Sequence, residues 1–169
     1  MRNIALFVIV FLLLMSSSVF SQDVYSYFDH AADFLSFKTY KWVSLQSVAP
    51  IDKLTDEQIK AALDAGLARK GLTKVNSDGT ADLLIGYQTS ELIDEKFARF
   101  PTSDSSPWTI TTGDLAIDMY TPAGHNLVWR GVASKTLDPK AKPEKRQKNL
   151  DKAIAKLMKN YPPLKEKVP

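Results

Sequence analysis

The chain has 169 residues, with 22 Lys+Arg against 19 Asp+Glu, a formal net charge of +3, and 44% hydrophobic residues. That length suits one domain, and the balance is that of an ordinary globular protein rather than a disordered tail, a fibre or a polytopic membrane protein. The absence of cysteine excludes a disulfide scaffold, a thiol nucleophile, a cysteine zinc site and a lipid anchor on cysteine.

The chain opens with Met1-Arg2-Asn3, continues with the apolar run Ile4–Met15, and passes through Ser16–Ser18 to Ser21. This charged, apolar and small-residue order is that of a secretory signal peptide, with cleavage expected after Ser21, since Val19 and Ser21 suit the −3 and −1 positions. The apolar run falls short of the roughly 20 residues that span a bilayer. Loss of 1–21 removes Arg2 and no acid, leaving a charge of +2. So thin a basic excess gives no reason to expect nucleic acid as a partner. The expected organisation is a signal peptide at 1–21, one domain at 22–163 and a flexible tail at 164–169.

Within the domain, Val24–Phe28 is rich in aromatic and β-branched residues, with Tyr25 and Tyr27 on one face, and reads as a strand. Asp29–Asp33 is a polar turn, and Thr39–Val43 alternates as a second strand. Residues 55–71 form the clearest helix: Ile59, Ala62, Leu63, Gly66 and Leu67 make one apolar stripe. Thr55 and Gln58 fit a capping box, Leu54 and Ile59 a hydrophobic staple, and Gly71 a left-handed stop. Asn76–Thr80 is a turn cluster, and Asp82–Thr89 alternates as a strand. Residues 91–108 have mixed charge, two prolines and no clean period, and read as a long loop or a frayed strand extension. Thr109–Tyr120 and Asn126–Ser134 are two strands joined by a short turn, the pattern of an antiparallel hairpin. Glu144–Tyr161 is a second amphipathic helix, with Leu150, Ile154, Leu157, Met158 and Tyr161 on one stripe, ended by Pro162-Pro163.

The order β-β-α-β-β-β-α predicts an α+β fold: a twisted, mainly antiparallel sheet of about five strands, with two amphipathic helices packed on one face.

Four blocks, in order, resemble one known family. They are Asp33–Trp42; Gly71-Leu72 with Ala81–Ile85; Gly113–Asp118 leading to Leu127–Gly131; and the closing Lys159–Pro163. The chain resembles the bacterial envelope family "domain of unknown function 4136" over about residues 23–163. The resemblance implies an exported α+β domain of the cell envelope, often lipid-anchored, with no established enzyme activity and no catalytic residues to carry over. This sequence departs from the lipoprotein members in having no cysteine to acylate, which implies a soluble periplasmic or otherwise exported protein.

Few residues ask for a chemical reading. His30 and His125 are the only histidines, both in predicted turns, and read as surface residues rather than ligands. Asn76, Asp78, Gly79 and Asp82 share part of a calcium loop's spacing but lack its terminal glutamate, and read as an Asp-Gly turn. There is no Gly-x-Ser-x-Gly elbow and no Gly-rich phosphate loop. No catalytic residue, metal ligand or cofactor is therefore assigned.

Trp129 alternates with Leu127 and Ala133 and reads as core. Arg130, on the opposite face, either pairs with a cross-strand acid such as Asp118 or meets an acidic partner. Phe97, Phe100 and Trp108 stand in an otherwise polar stretch, with Arg99 placed for a cation–π contact; they either tuck back onto the sheet or form a binding surface. The binding candidates are thus Phe97, Arg99, Phe100, Trp108 and Arg130. The expected function is non-enzymatic binding of an envelope protein, a lipid or a glycan through the sheet face or edge and the 91–108 loop. The alternatives are a small-ligand pocket between sheet and helices and, third, an envelope hydrolase.

Overall fold

In the computed structural model, residues 22–45, 51–96, 108–138 and 140–163 are described. The elements in chain order are β1 (Asp23–Phe28), β2 (Thr39–Trp42), α1 (Lys53–Arg69), β3 (Thr73–Lys74), β4 (Leu83–Lys96), β5 (Trp108–Tyr120), β6 (Leu127–Thr136) and α2 (Pro143–Lys159). They build one six-stranded sheet in the order β1-β6-β5-β4-β2-β3. The fold is α+β as expected. The sheet has six strands rather than about five, because the two-residue β3 joins its edge.

β1, β6, β5 and β4 pair antiparallel, while β2 runs parallel to both β3 and β4. α1 supplies the crossover that a parallel β2–β3 pair requires. Its end is a full Schellman motif: the Gly71 N–H donates to Ala68 O, the Leu72 N–H donates to Leu67 O, and Gly71 takes φ +84. Its start differs from expectation. The N-cap is Asp52, whose carboxylate accepts the Thr55 N–H at 3.0 Å and the Thr55 hydroxyl at 2.6 Å. A carboxylate that takes both bonds displaces Thr55 from the capping role. The helix therefore begins two residues early, and Leu54 stands exposed inside it instead of closing a staple.

Of the two readings of 91–108, the strand extension holds for 91–96 and for Trp108, while 97–107 lie outside the described residues. β4 continues through Lys96 and β5 starts at Trp108, paired from Leu84↔Tyr120 out to Lys96↔Trp108. Residues 91–96 are therefore strand, and the two strands run on past the Thr112↔Thr136 end of β6 as a two-stranded arm.

One face of the sheet carries the core. Leu83, Ile85, Leu115, Ile117, Met119, Trp129 and Ala133 meet Ile59, Leu63 and Leu67 of α1 and Ile154, Leu157 and Met158 of α2 in a single cluster. Full burial of each large aliphatic side chain contributes about 2–3 kcal/mol. The Trp129 indole folds back over Gly131, where an added Cβ would stand 2.2 Å from the ring. Glycine at that position is a packing requirement. Tyr161 closes the far end, edge-on to Trp129 (5.6 Å) and Phe34 (5.9 Å).

Candidate binding surface

The sheet face away from the helices presents rows of side chains that run across neighbouring strands. One row is Tyr27, Arg130, Asp118 and Gly86; the next is Tyr25, Val132, Ala116 and Gln88; a third is Asp23, Ser134, Asp114 and Ser90. The period-two pleat puts each row on this face, opposite Trp129, Ile117 and Ile85.

In the first row Arg130 lies across Asp118, with Nε to Oδ1 at 2.5 Å and Nη2 to Oδ2 at 2.6 Å. The Tyr120 hydroxyl donates to the same carboxylate at 3.1 Å. Asp118 is 1% exposed, whereas the Arg130 side chain is 38% exposed. The bidentate carboxylate raises the guanidinium pKa further above its ordinary value, and burial beside Asp118 raises that of Tyr120. The cross-strand pair read from the sequence for Arg130 is thus present. Leu45 covers the far end of the row, over Gly86, where an added Cβ would meet its side chain at 2.4 Å.

In the third row Asp114 accepts the Ser134 hydroxyl at 2.5 Å and the Ser90 hydroxyl at 3.1 Å. At the β1 end Tyr25 (46% exposed) and Tyr27 (64% exposed) meet edge-on, with ring centroids 5.7 Å apart. β1 is an edge strand, with no partner on its outer side among the described residues. The Asp29 N–H bonds inward to Val128 O, so by alternation Val24, Ser26 and Phe28 turn their peptide groups outward.

The other carboxylates with several partners hold the fold. Asp64 accepts from the Tyr40 hydroxyl (2.6 Å), the Trp42 indole (2.9 Å) and the Lys74 ammonium (3.0 Å). Asp56 takes the Tyr87 hydroxyl and Lys60. Asp82, from the proposed turn, takes the Lys38 and Thr39 N–H groups and the Thr39 hydroxyl, each at 2.9 Å. These bonds lower the pKa of Asp56 and Asp82, while burial, helped by the bonds to Asp64 and Asp56, raises that of Tyr40 and Tyr87. Groups so committed brace the structure and offer no converging acid and base.

His30 lies against Phe28, ring centroids 4.5 Å apart, and His125 sits in the β5–β6 turn at φ 51; both are exposed turn residues. Among the described residues no group of three His, Asp or Glu side chains is placed to hold a metal ion, and no helix is long and apolar enough to cross a membrane.

Of the sequence candidates, Phe97, Arg99 and Phe100 lie outside the described residues. Trp108 begins β5 opposite Lys96, and its side chain also lies outside what is described. Arg130 is the candidate that can be placed. The exposed pair Tyr25 and Tyr27 was visible in the sequence as an alternating face, but nothing there marked β1 as an edge.

The family model for DUF4136, a domain of unknown function, matches residues 24–163. The chain belongs to that family. Solved structures share this family's fold at low sequence identity. A DUF4136 protein from Bacteroides thetaiotaomicron is 14% identical, with a TM-score of 0.57, over 83% of this chain and 96% of that one. The PelC dodecamer from Paraburkholderia phytofirmans is 9% identical, with a TM-score of 0.52, over 82% and 95%. A PDZ domain protein from Parabacteroides distasonis is 16% identical, with a TM-score of 0.53, over 90% of this chain but 39% of that one. No curated protein matches this DUF4136 chain.

Proposed function

We propose that this DUF4136 protein is an exported, non-enzymatic binding module of the cell envelope. Its partner is another envelope protein, which adds an extended segment to the outer edge of β1 and packs side chains on Tyr25, Tyr27 and Arg130. The observation that carries the reading is the edge itself: outward peptide groups at Val24, Ser26 and Phe28, flanked on the free face by two exposed tyrosines. Strand addition uses such an edge for affinity and the adjoining side chains for specificity. Tyrosine and arginine are the residue types that dominate protein interfaces.

The small-ligand alternative finds less support. The space between sheet and helices is filled by one continuous apolar cluster. A groove of about 450 Å³ lies on the outside of the helices, lined by Gln58, Pro143, Glu144, Gln147, Lys148 and Asp151, with no aromatic wall to hold a ligand.

The test places a photo-crosslinking side chain at Tyr27, or at Leu54 as an exposed control on α1, in intact cells. A discrete protein adduct is expected from position 27 and not from 54. Ser26→Pro removes an outward N–H that β6 does not use, and is expected to abolish the adduct without unfolding the chain. An adduct that survives Ser26→Pro, or equal adducts from both positions, overturns strand addition at this edge.

A further inference from the structure

On α2 the charges are segregated. At 100° per residue, Lys145, Lys148, Lys152, Lys156 and Lys159 fall in one arc about 80° wide. Glu144 and Asp151 fall beyond the Lys148 edge of that arc, and the buried Ala153, Ile154, Leu157 and Met158 fall on the other side of the helix. From Lys145 to Lys159 the stripe runs about 21 Å. Its one ion pair in the described residues is Lys145 with Asp138, at 3.0 Å.

The sheet adds to the same flank. Lys135, on the helix-facing side of β6, stands beside Lys145, Lys152 and Lys156; partial burial and those three ammonium groups lower its pKa. Next to it the arm exposes two apolar side chains on that face. Ile93 pairs with Thr111, the Leu137 N–H donates to Thr111 O, and the Leu137 side chain lies over Gly113, the register partner of Lys135. Ile93 is 64% exposed and Leu137 42% exposed. Across β5 they sit roughly 10 Å apart.

Gln22 is held on this flank as well, donating from Nε2 to Asn149 O (2.9 Å) and accepting Lys156 Nζ on its carbonyl (3.3 Å).

We infer that this flank docks on an anionic lipid bilayer, with the lysines of α2 and Lys135 against headgroup phosphates and Ile93 and Leu137 at the headgroup–acyl boundary. Lysines near such a surface each add attraction that falls off within a Debye length. A hydrated acidic polysaccharide would match the charge, but it gives the two exposed aliphatic side chains nothing to enter. An amphipathic bilayer boundary satisfies both. This surface is distinct from the β1 edge and does not depend on that reading.

The test compares partitioning of the full chain onto phosphatidylcholine vesicles and onto vesicles that also contain phosphatidylglycerol. The readout is the ratio of the two partition coefficients. The triple variant Lys135→Gln/Lys152→Gln/Lys156→Gln is expected to lower that ratio by about 100-fold. Ile93→Asn/Leu137→Asn should weaken binding to the anionic vesicles roughly 10-fold. The control Lys38→Gln/Arg69→Gln/Lys70→Gln removes the same charge at the start of β2 and the end of α1, away from Lys135, Ile93 and Leu137, and should leave the ratio unchanged. Far-UV circular dichroism and the melting midpoint confirm that each variant is folded. An unchanged ratio in the lysine triple variant overturns the inference, as does an equal drop in the control. Binding to polyglucuronate that the triple variant loses, with no preference for phosphatidylglycerol, overturns it in favour of a polysaccharide.

Discussion

At the scale of single residues, the Asp118–Arg130 pair is asymmetric, and the asymmetry has a measurable consequence. Asp118 is 1% exposed while the Arg130 side chain keeps 38% of its surface in water. Truncating Arg130 leaves a buried carboxylate with only the Tyr120 hydroxyl, whereas truncating Asp118 leaves a guanidinium that water can reach. Arg130→Ala is therefore expected to cost about 3 kcal/mol. Asp118→Ala is expected to cost about 1–2 kcal/mol, and urea denaturation of the two variants measures the difference. The double variant should cost less than the sum, because neither charge is then stranded. This pair was legible in the sequence: Asp118 and Arg130 lie on the same face of two strands joined by a short turn, so pairing was the geometric default. The lysine stripe of α2 was equally present, at intervals of three and four, but the apolar residues determined how the helix was read. Phe97, Arg99 and Phe100 had only their residue types to recommend them, and no periodicity to place them.

At the scale of elements, the parts readable from sequence are those where one face is buried. β5 and β6 alternate because Leu115, Ile117, Met119, Trp129 and Ala133 face the helices, and α1 shows its stripe because Ile59, Leu63 and Leu67 do. The outer arm has no such signature. Leu92 and Ile93, on opposite faces, are 65% and 64% exposed, so residues 91–93 are held by pairing with β5 rather than by burial. A strand exposed on both faces carries no alternation to detect. β3, with two residues, has no period at all, and the parallel setting of β2 follows from the α1 crossover rather than from its own composition. The stop of α1 is different, because a single residue announced it. Gly71 takes φ +84, and an added Cβ there would meet nothing within 4 Å. Gly71→Ala therefore isolates the backbone cost of the left-handed conformation, expected at about 1 kcal/mol. Chemical denaturation should show that loss with an unchanged slope, since no packing changes. A loss several times larger would mean that the Schellman turn also sets the register of β3.

At the scale of the whole molecule, the helices share one core, and three carboxylates, Asp56, Asp64 and Asp82, fasten the strands and α1 at its β2–β4 side. Asp82 fastens the start of β2 to β4, and Asp56 fastens α1 to Tyr87 of β4. Hydrogen bonds from Lys38 and Thr39 lower the pKa of Asp82, and those from Tyr87 and Lys60 lower that of Asp56. An unfolded aspartate titrates near pH 3.9, so the unfolded chain binds more protons than the folded one through the carboxyl range. The stabilisation is full above that unfolded value and is lost as pH falls through the lower folded values. Stability should therefore be flat near neutrality and decline below about pH 4. The decline should be smaller in Asp82→Asn, which has surrendered that contribution at every pH. Because Trp129, Tyr161 and Leu157 belong to the same cluster as Leu63 and Ile85, loosening the β2 side cannot leave the α2 side intact. Tryptophan fluorescence and far-UV circular dichroism should consequently report one midpoint at each pH. Two separated midpoints, with helix signal outlasting the fluorescence change, would show that α2 and its strands persist alone and that the core divides in two.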